Sequence, residues 1–474
     1  MKQKPWLVFS MVAVGVFLST MDSSMINVAL PSIMRSFGTT LPRTEWVVLI
    51  YLLTITVSLL FWGRIGDLLG KGTVYLSGML VFGVGSLACY GAGTLGQLIC
   101  FRFFQALGAS MMMAMGPAII KMVFPLKQLG MALGLIGVAT SIGLMSGPVI
   151  SGMLIENYSW RAIFLVTVPV SVGLFLPGWY SLRPLLSGPG RKRINHPFDW
   201  PGMLLWSTVL TLIVLLSTHH RPVSPLLPLS EIILLFLFLF LFIKAETANP
   251  APLFPVELFR RQRFFIGIVC AALSFAVLFV VLILIPFYLD YILNLSPGVI
   301  GLVMMAVPIS VFLVSPLAGF LYNRIGARLL TTGGLTIASL AMFLLSFLSP
   351  ETTPLGVAWR LAVLGAGQAL FLSPNSTAIL EQVGHDQAGV SSGMLATARN
   401  LGMLLGVSLA GLLFGLIFSQ LSGGLDLKHY EPEQLPSFIL ALRITFGLTA
   451  VLSVVGAVLS GMRKGKREVS SKDV

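Results

Sequence analysis

The sequence predicts an all-α polytopic membrane protein with fourteen transmembrane helices, and three observations carry that prediction. Of the 474 residues, 56% are hydrophobic and 10% charged, whereas soluble globular domains carry roughly 25% charged residues. Apolar runs recur almost end to end with polar residues confined to short breaks, and a helical crossing needs about 20 such residues. Lysine and arginine gather in alternate breaks, the pattern that orients membrane proteins.

Taken in order, the runs centre near residues 18, 54, 83, 110, 142, 172, 208, 237, 278, 309, 339, 368, 404 and 449. The first follows two lysines and continues to Leu30. That is too long for a signal-peptide core and lacks a small-residue cleavage site, so it is expected to remain as span 1. With an even count both termini share one side. That side collects 21 of the 30 lysines and arginines, the opposite side six, and Arg102, Arg399 and Arg443 fall within spans. Cytoplasmic termini in a bacterial-type inner membrane follow as the expectation. Spans 7 and 8 are short and separated by the proline-rich residues 221–228. Removing one of them would put the basic residues 191–193 and 260–263 on opposite sides, against the charge rule, so both are kept. The expected division is 1–182 for a first six-helix bundle, 183–262 for a basic loop with the two additional helices, 263–462 for a second six-helix bundle and 463–474 for a basic tail.

The formal net charge of +13 does not form a patch that a nucleic-acid groove could use. Cys89, Cys100 and Cys270 all sit in apolar segments, which points to buried thiols and not to a disulfide framework. The five histidines, at 196, 219, 220, 385 and 429, lie in loops without metal-ligand spacing. No P-loop, nucleophile elbow or HExxH is present, so ATP drive, hydrolysis, a metal and a cofactor are all unsupported.

An internal repeat is visible. Gly63-Arg-Ile-Gly-Asp67-Leu-Leu-Gly70-Lys71-Gly72 follows span 2, and Gly319-Phe-Leu-Tyr-Asn323-Arg324-Ile-Gly326-Ala-Arg328 follows span 10. If spans 7 and 8 are inserted, each loop follows the second span of a six-span half, giving a 6+2+6 layout. Glycines permit the tight turn, and Asp67 can meet cationic neighbours at a helix start. The first loop resembles the signature loop of the major facilitator superfamily, Gly-x-x-x-Asp-Arg/Lys-x-Gly-Arg/Lys-Arg/Lys. Leu68 and Gly72 depart from it where basic residues are usual. The resemblance implies two pseudo-symmetric six-helix bundles that rock about a midplane cavity, with these loops gating the cytoplasmic side.

Three further stretches resemble the fourteen-span drug/proton antiporter branch of that superfamily. Met21-Asp22-Ser-Ser-Met-Ile-Asn27-Val-Ala-Leu-Pro31 matches its span 1 element, and Arg102, Gln105 and Gly108 match its span 4 arginine motif, with Ala106 in place of a usual glycine. Gly134, Gly143, Gly147, Pro148 and Gly152 match its span 5 antiporter element, with Ser151 standing for a glycine. Such glycines let a neighbouring helix approach closely, and the proline removes one backbone hydrogen bond so that the segment can bend. The branch implies proton-coupled export of amphipathic or cationic small molecules by a monomer, with the proton as the coupling ion. Export of a lipid, siderophore or metabolite fits the same elements, and an uptake permease fits them less well.

Ionisable groups within spans are costly, about 2.5–3.5 kcal/mol on insertion scales, and ask for a partner or a task. Asp22 lies about eight residues before the outer end of span 1 and Arg102 about five residues into span 4, so both fall in the outer half and can face each other. By resemblance Asp22 binds the proton or a cationic substrate, and Arg102 takes part in coupling. Burial favours the neutral acid while a nearby guanidinium favours the carboxylate, making proton occupancy sensitive to conformation; a permanent structural ion pair is the alternative. Asp290, near the outer end of span 9, is either a second cation or proton site or an interfacial residue. Arg399 and Asn400 are read as polar anchors where span 13 begins. Met112 and Met115 in span 4, with Phe275 and Phe279 in span 9, are candidates for an adaptable cavity lining, core packing being the other reading.

Overall fold

The computed structural model describes residues 5–182, 199–218, 226–249, 256–382 and 388–463. The basic residues Arg191, Lys192 and Arg193, the run from Arg221 to Pro225, histidines 196, 219, 220 and 385 and the tail beyond Arg463 lie outside the described residues. Among those described, every regular element is helical and no strand occurs. In chain order the helices are α1 (Pro5–Phe37), α2 (Leu41–Leu69), α3 (Lys71–Tyr90), α4 (Leu95–Val123), α5 (Leu126–Asn157), α6 (Ala162–Leu165), α7 (Thr167–Leu182) and α8 (Trp200–Thr218). They continue as α9 (Leu226–Ala248), α10 (Val256–Phe259), α11 (Gln262–Tyr291), α12 (Pro297–Met304), α13 (Ala306–Leu345), α14 (Pro354–Leu380), α15 (Ala388–Leu421) and α16 (Leu435–Gly461).

Twelve stretches of these helices are long and apolar enough to cross a membrane, among them Pro5–Phe37, Leu95–Val123 and Gln262–Tyr291. Between the sixth and seventh stand α8 and α9. Asp199 starts α8, its carboxylate accepting from Gly202 N at 2.9 Å, and so satisfies one of the orphan donors of a helix start. Aromatic pairs join α8 to its neighbours, Trp200 with Phe61 of α2 and Trp206 with Phe242 of α9. Prolines stand inside α1, α4, α5, α7, α11, α13 and α14, as membrane helices tolerate when neighbours satisfy the freed carbonyls.

The chain forms two compact units. Unit 1 is Met1–Leu215, Leu226–Ala245 and Leu295–Leu302; unit 2 is Leu216–Pro225, Glu246–Asn294 and Val303–Val474. The repeat seen in the two loops extends into their packing. Gly70, between α2 and α3, has φ 97°, and Gly326, at a kink inside α13, has φ 79°; both occupy the same place in the shared template, in backbone regions that a Cβ makes costly. Eight residues beyond each, the chain makes the same tight crossing, Gly78 of α3 with Gly108 of α4 and Gly334 of α13 with Gly367 of α14. A Cβ on Gly108 would stand 2.8 Å from Phe82 Cα, and one on Gly367 would stand 2.7 Å from Gly334 O. Helix pairs α1/α5 and α11/α15 repeat a second close approach, described with the site below.

Two arginines of unit 2, Arg399 and Arg463, differ from their expected places. Arg399 is the twelfth residue of α15, not its beginning, because the helix starts at Ala388 through a run of small residues that carries little apolar signal. Arg463, expected in a solvated tail, is 4% exposed and donates to Asn375 Oδ1 of α14; burial lowers its affinity for its proton.

Candidate functional site

Unit 1 holds a charged network built from α1, α2, α3 and α4. Asp22 of α1 and Arg102 of α4 are both buried and meet directly, Arg102 Nη1 donating to Asp22 Oδ2 at 2.6 Å. The same nitrogen donates to Gln105 Oε1 at 2.7 Å, one helical turn along α4. Gln105 Nε2 in turn donates to Asp22 Oδ1 at 2.9 Å and to Ser86 Oγ of α3 at 2.7 Å. Arg102 Nε donates to Val47 O of α2 at 3.2 Å, and its guanidinium carbon lies 4.1 Å from the Tyr51 ring centroid. Buried charge survives only when paired and hydrogen-bonded, and both carboxylate oxygens here are satisfied by charge-assisted or amide donors.

Local packing explains how the network closes. Gly85 of α3 lets α4 approach until a Cβ there would stand 2.7 Å from Gln105 Cα, so the amide reaches across to α1. The glycines of α5 at 143 and 147 bracket the turn of α1 that carries Asp22. A Cβ on Gly143 would lie 2.7 Å from Phe17 O, and one on Gly147 would lie 2.9 Å from Met21 O. Ser151, in a glycine's place, does more than stay small, since its hydroxyl donates to Met25 O of α1 at 2.8 Å. Further along α5, Pro148 and Gly152 meet Gly301 and Pro297, both in the segment of α12 that belongs to unit 1. Gly134 lies in α5 among residues whose side-chain surroundings are outside the description.

Other residues singled out from the sequence lie apart from Asp22. Asn27 is buried on α1, and its Oδ1 has no hydrogen-bond partner among the described residues. Asp290 is in unit 2, one residue before the end of α11, and half-buried. Met112 and Met115 are 1% exposed and pack near Gly15 and against Gly66, filling the interior of unit 1. Phe279 is buried, while Phe275 is half-buried beneath the guanidinium of Arg399. In the first signature loop Lys71 Nζ and Asp67 Oδ1 pair at 2.7 Å across one turn, with Gly63 in open space. In the second, Arg324 stacks over Phe320 at 4.4 Å; the side chain of Asn323 is outside the description.

Sequence reasoning missed two members of the network and several buried or close-packed residues elsewhere. Ser86 and Tyr51 join the network from α3 and α2, where no spacing ties them to Asp22. Glu45 is 1% exposed on α2 with Oε1 unpartnered among the described residues. Gly402 and Gly406 of α15 repeat the α5 arrangement against α11, where a Cβ would stand 2.9 Å from Ala272 Cα and 3.0 Å from Ala276 Cα respectively. Their four-residue spacing, the same as Gly143 to Gly147 in the other half, was the available signal.

The fold agrees with that of known proteins that this chain resembles. It is 31% identical over 473 residues to the riboflavin transporter RibZ of Clostridioides difficile, covering 99% of this chain and 100% of that protein. It is 29% identical to the multidrug resistance protein Stp of Mycobacterium tuberculosis, across 90% of this chain and 79% of that one. Among solved structures, a bacterial homologue of the human lysosomal transporter Spinster superposes with a TM-score of 0.66 at 16% identity, covering 98% of this chain and 97% of that one. The Major Facilitator Superfamily model matches residues 12–407 and 265–471, so this all-helical polytopic membrane protein belongs to the major facilitator superfamily of transporters.

Proposed function

We propose that this transporter is a proton-coupled antiporter that exports amphipathic or cationic small molecules by alternating access. The observation that carries the reading is the buried Asp22–Arg102–Gln105 network. A carboxylate held by a guanidinium and an amide can exchange that partnership for a proton or a cationic cargo, and either exchange changes the charge balance around Arg102. Entry of a proton from the outer side then releases cargo, and its loss inwards restores the accepting carboxylate. The transmembrane potential supplies about 2.3 kcal/mol per charge per 100 mV, which sustains a gradient of tens-fold for one net charge moved. Relatives named for multidrug resistance and for tetracenomycin C resistance and export support export as the direction. No bound cofactor is needed for this cycle.

In the same reading α8 and α9 are two further crossings between two six-helix halves, both termini are cytoplasmic, the membrane is a bacterial-type inner membrane and the monomer is the working unit. The loop residues Gly63, Asp67, Gly70, Lys71, Asn323 and Arg324 gate the cytoplasmic side. A second reading, carriage of a planar heterocyclic metabolite, is favoured by the similarity to a riboflavin transporter over 99% of the chain.

Proteoliposomes holding the purified protein test both. Lipophilic cations, neutral drugs and riboflavin are added in turn and proton movement is followed, with Asp22→Asn alongside. Proton release driven by cations and lost in the variant supports multidrug antiport; coupling to riboflavin alone supports the second reading; no coupling to protons sinks the antiporter assignment.

A further inference from the structure

Arg399 is a cation of unit 2 that stands outside the Asp22–Arg102 network. Among the described residues it makes one hydrogen bond, Nη2 to Ser376 Oγ of α14 at 2.6 Å, and its guanidinium carbon lies 5.8 Å from the ring centroid of Phe275 on α11. Its Nε is buried without a partner among the described residues. Among the described residues no carboxylate pairs with it, whereas Arg102 in unit 1 is met by Asp22 at 2.6 Å. The residue beside Ser376 adds to the imbalance, because Asn375 Oδ1 accepts from Arg463, another buried guanidinium whose Nε and Nη1 have no partner among the described residues. Glu381, near the end of α14, is engaged with the Tyr322 hydroxyl. Among the described residues, one turn of α14 therefore meets two cations with a hydroxyl and an amide.

An ionised guanidinium in a membrane span requires a counter-charge or a polar cavity. Arg399, Phe275 and Ser376 are each half-buried. The guanidinium is a planar fork of donors, which matches a carboxylate in two-point fashion. Beside it stand a ring face suited to offset stacking and a hydroxyl that donates or accepts as needed. We propose that Arg399, Ser376 and Phe275 form a binding site for the carboxylate of a planar aromatic cargo, with Arg399 as the charge partner and Phe275 as the stacking surface. The word cargo rests on the transport function proposed above; the site itself does not.

Equilibrium binding to the full-length protein in lipid nanodiscs, without any proton gradient, tests it. The probes are naphthalene-2-carboxylate, its neutral carboxamide and hexanoate. The wild type is expected to bind the aromatic carboxylate at least ten-fold more tightly than the carboxamide, and Arg399→Gln to lose that preference while carboxamide binding stays. Phe275→Leu, a milder change, is expected to weaken naphthoate several-fold relative to hexanoate, and Arg399→Lys to retain part of the preference. Equal binding of carboxylate and carboxamide by the wild type, or an unchanged preference in Arg399→Gln, overturns the site. Comparing phosphatidylcholine nanodiscs with ones containing phosphatidylglycerol separates the other source of an anion. Arg399-dependent retention of the anionic lipid, without carboxylate binding, overturns the cargo assignment. Loss of proton coupling with carboxylate binding intact defeats only the antiporter reading, and the reverse result defeats only this site.

Discussion

The carboxylate of Asp22 meets the guanidinium of Arg102 at 2.6 Å with side chains 3% and 1% exposed, although 80 residues separate them in the chain. Removing one partner of such a pair leaves the other buried and uncompensated, at a cost of about 3–5 kcal/mol. Replacing both removes that penalty. Asp22→Asn and Arg102→Gln are therefore expected to be non-additive, with a coupling of about 0.5–3 kcal/mol in thermal unfolding of the purified protein. In proteoliposomes Asp22→Asn is expected to abolish substrate-driven proton movement while the protein still elutes as a single folded species. Undiminished proton movement in that variant removes Asp22 from the coupling mechanism.

Gln105 makes contact with Asp22, Arg102 and Ser86 together. A hydrogen bond to a charged group contributes about 1.5–3 kcal/mol, so Gln105→Leu is expected to lower stability by an amount in that range and to slow transport. Ser86→Ala removes only the outermost link and is expected to cost about 0.5–1.5 kcal/mol. Equal effects of the two changes would mean that Gln105 does not bridge to the carboxylate.

Apolar run length made the helices legible, and the centres expected near residues 18, 83, 110, 278 and 449 all fall inside α1, α3, α4, α11 and α16. The Asp22–Arg102 pairing was legible too, because two costly charges at similar depth in one half have few other ways to be satisfied. Ser86 and Tyr51 were not, since α3 and α2 reach the network through helix crossings that no local spacing encodes. Arg399 was misplaced for a different reason. The start of α15 from Ala388 to Gly393 is glycine, serine and valine around one alanine, a composition of low helix propensity that tertiary packing overrides. Asn27 came from motif matching alone, and its buried Oδ1 finds no partner among the described residues.

Close packing of α5 on α1 makes Gly147 a lever on Asp22. A Cβ there would stand 2.9 Å from both Met21 O and Ser24 Cβ, so Gly147→Ala must displace the turn that carries the carboxylate. Overpacking of this kind costs about 1–3 kcal/mol. The expected result is slowed transport with a lowered melting temperature, and Gly406→Ala, its counterpart against Ala276 O and Phe279 Cβ, is expected to lower stability by a similar amount. A Gly147→Ala protein with wild-type transport would mean that α5 does not set the position of α1.

Lys71 and Asp67 pair at 2.7 Å with side chains 24% and 48% exposed, a geometry in which an i,i+4 ion pair contributes only about 0.3–0.5 kcal/mol. Lys71→Gln is therefore expected to leave the melting temperature almost unchanged. A gating role for the loop is read from rate: transport should fall at least several-fold in Lys71→Gln with stability intact. Parallel small losses in both quantities, or none in either, would reduce the pair to a surface contact.

Backbone shape separates the glycines of the two signature loops into opposite classes. Gly70 at φ 97°, ψ 130° and Gly326 at φ 79°, ψ 168° hold conformations that cost an L side chain about 1–3 kcal/mol, and no neighbour need be struck for the penalty to appear. Gly63 and Gly319 lie within helices, with nothing inside 4 Å of an added Cβ, where alanine is favoured over glycine by about 0.5–1 kcal/mol. Alanine is expected to destabilise at positions 70 and 326 and to stabilise slightly at 63 and 319, read by thermal unfolding of the four single variants. Because Gly70 and Gly326 share one template position, their losses should match within about 1 kcal/mol, the width that context normally introduces. A loss at only one of them would mean that the two loops hold different backbones and that the repeat does not extend to their turns.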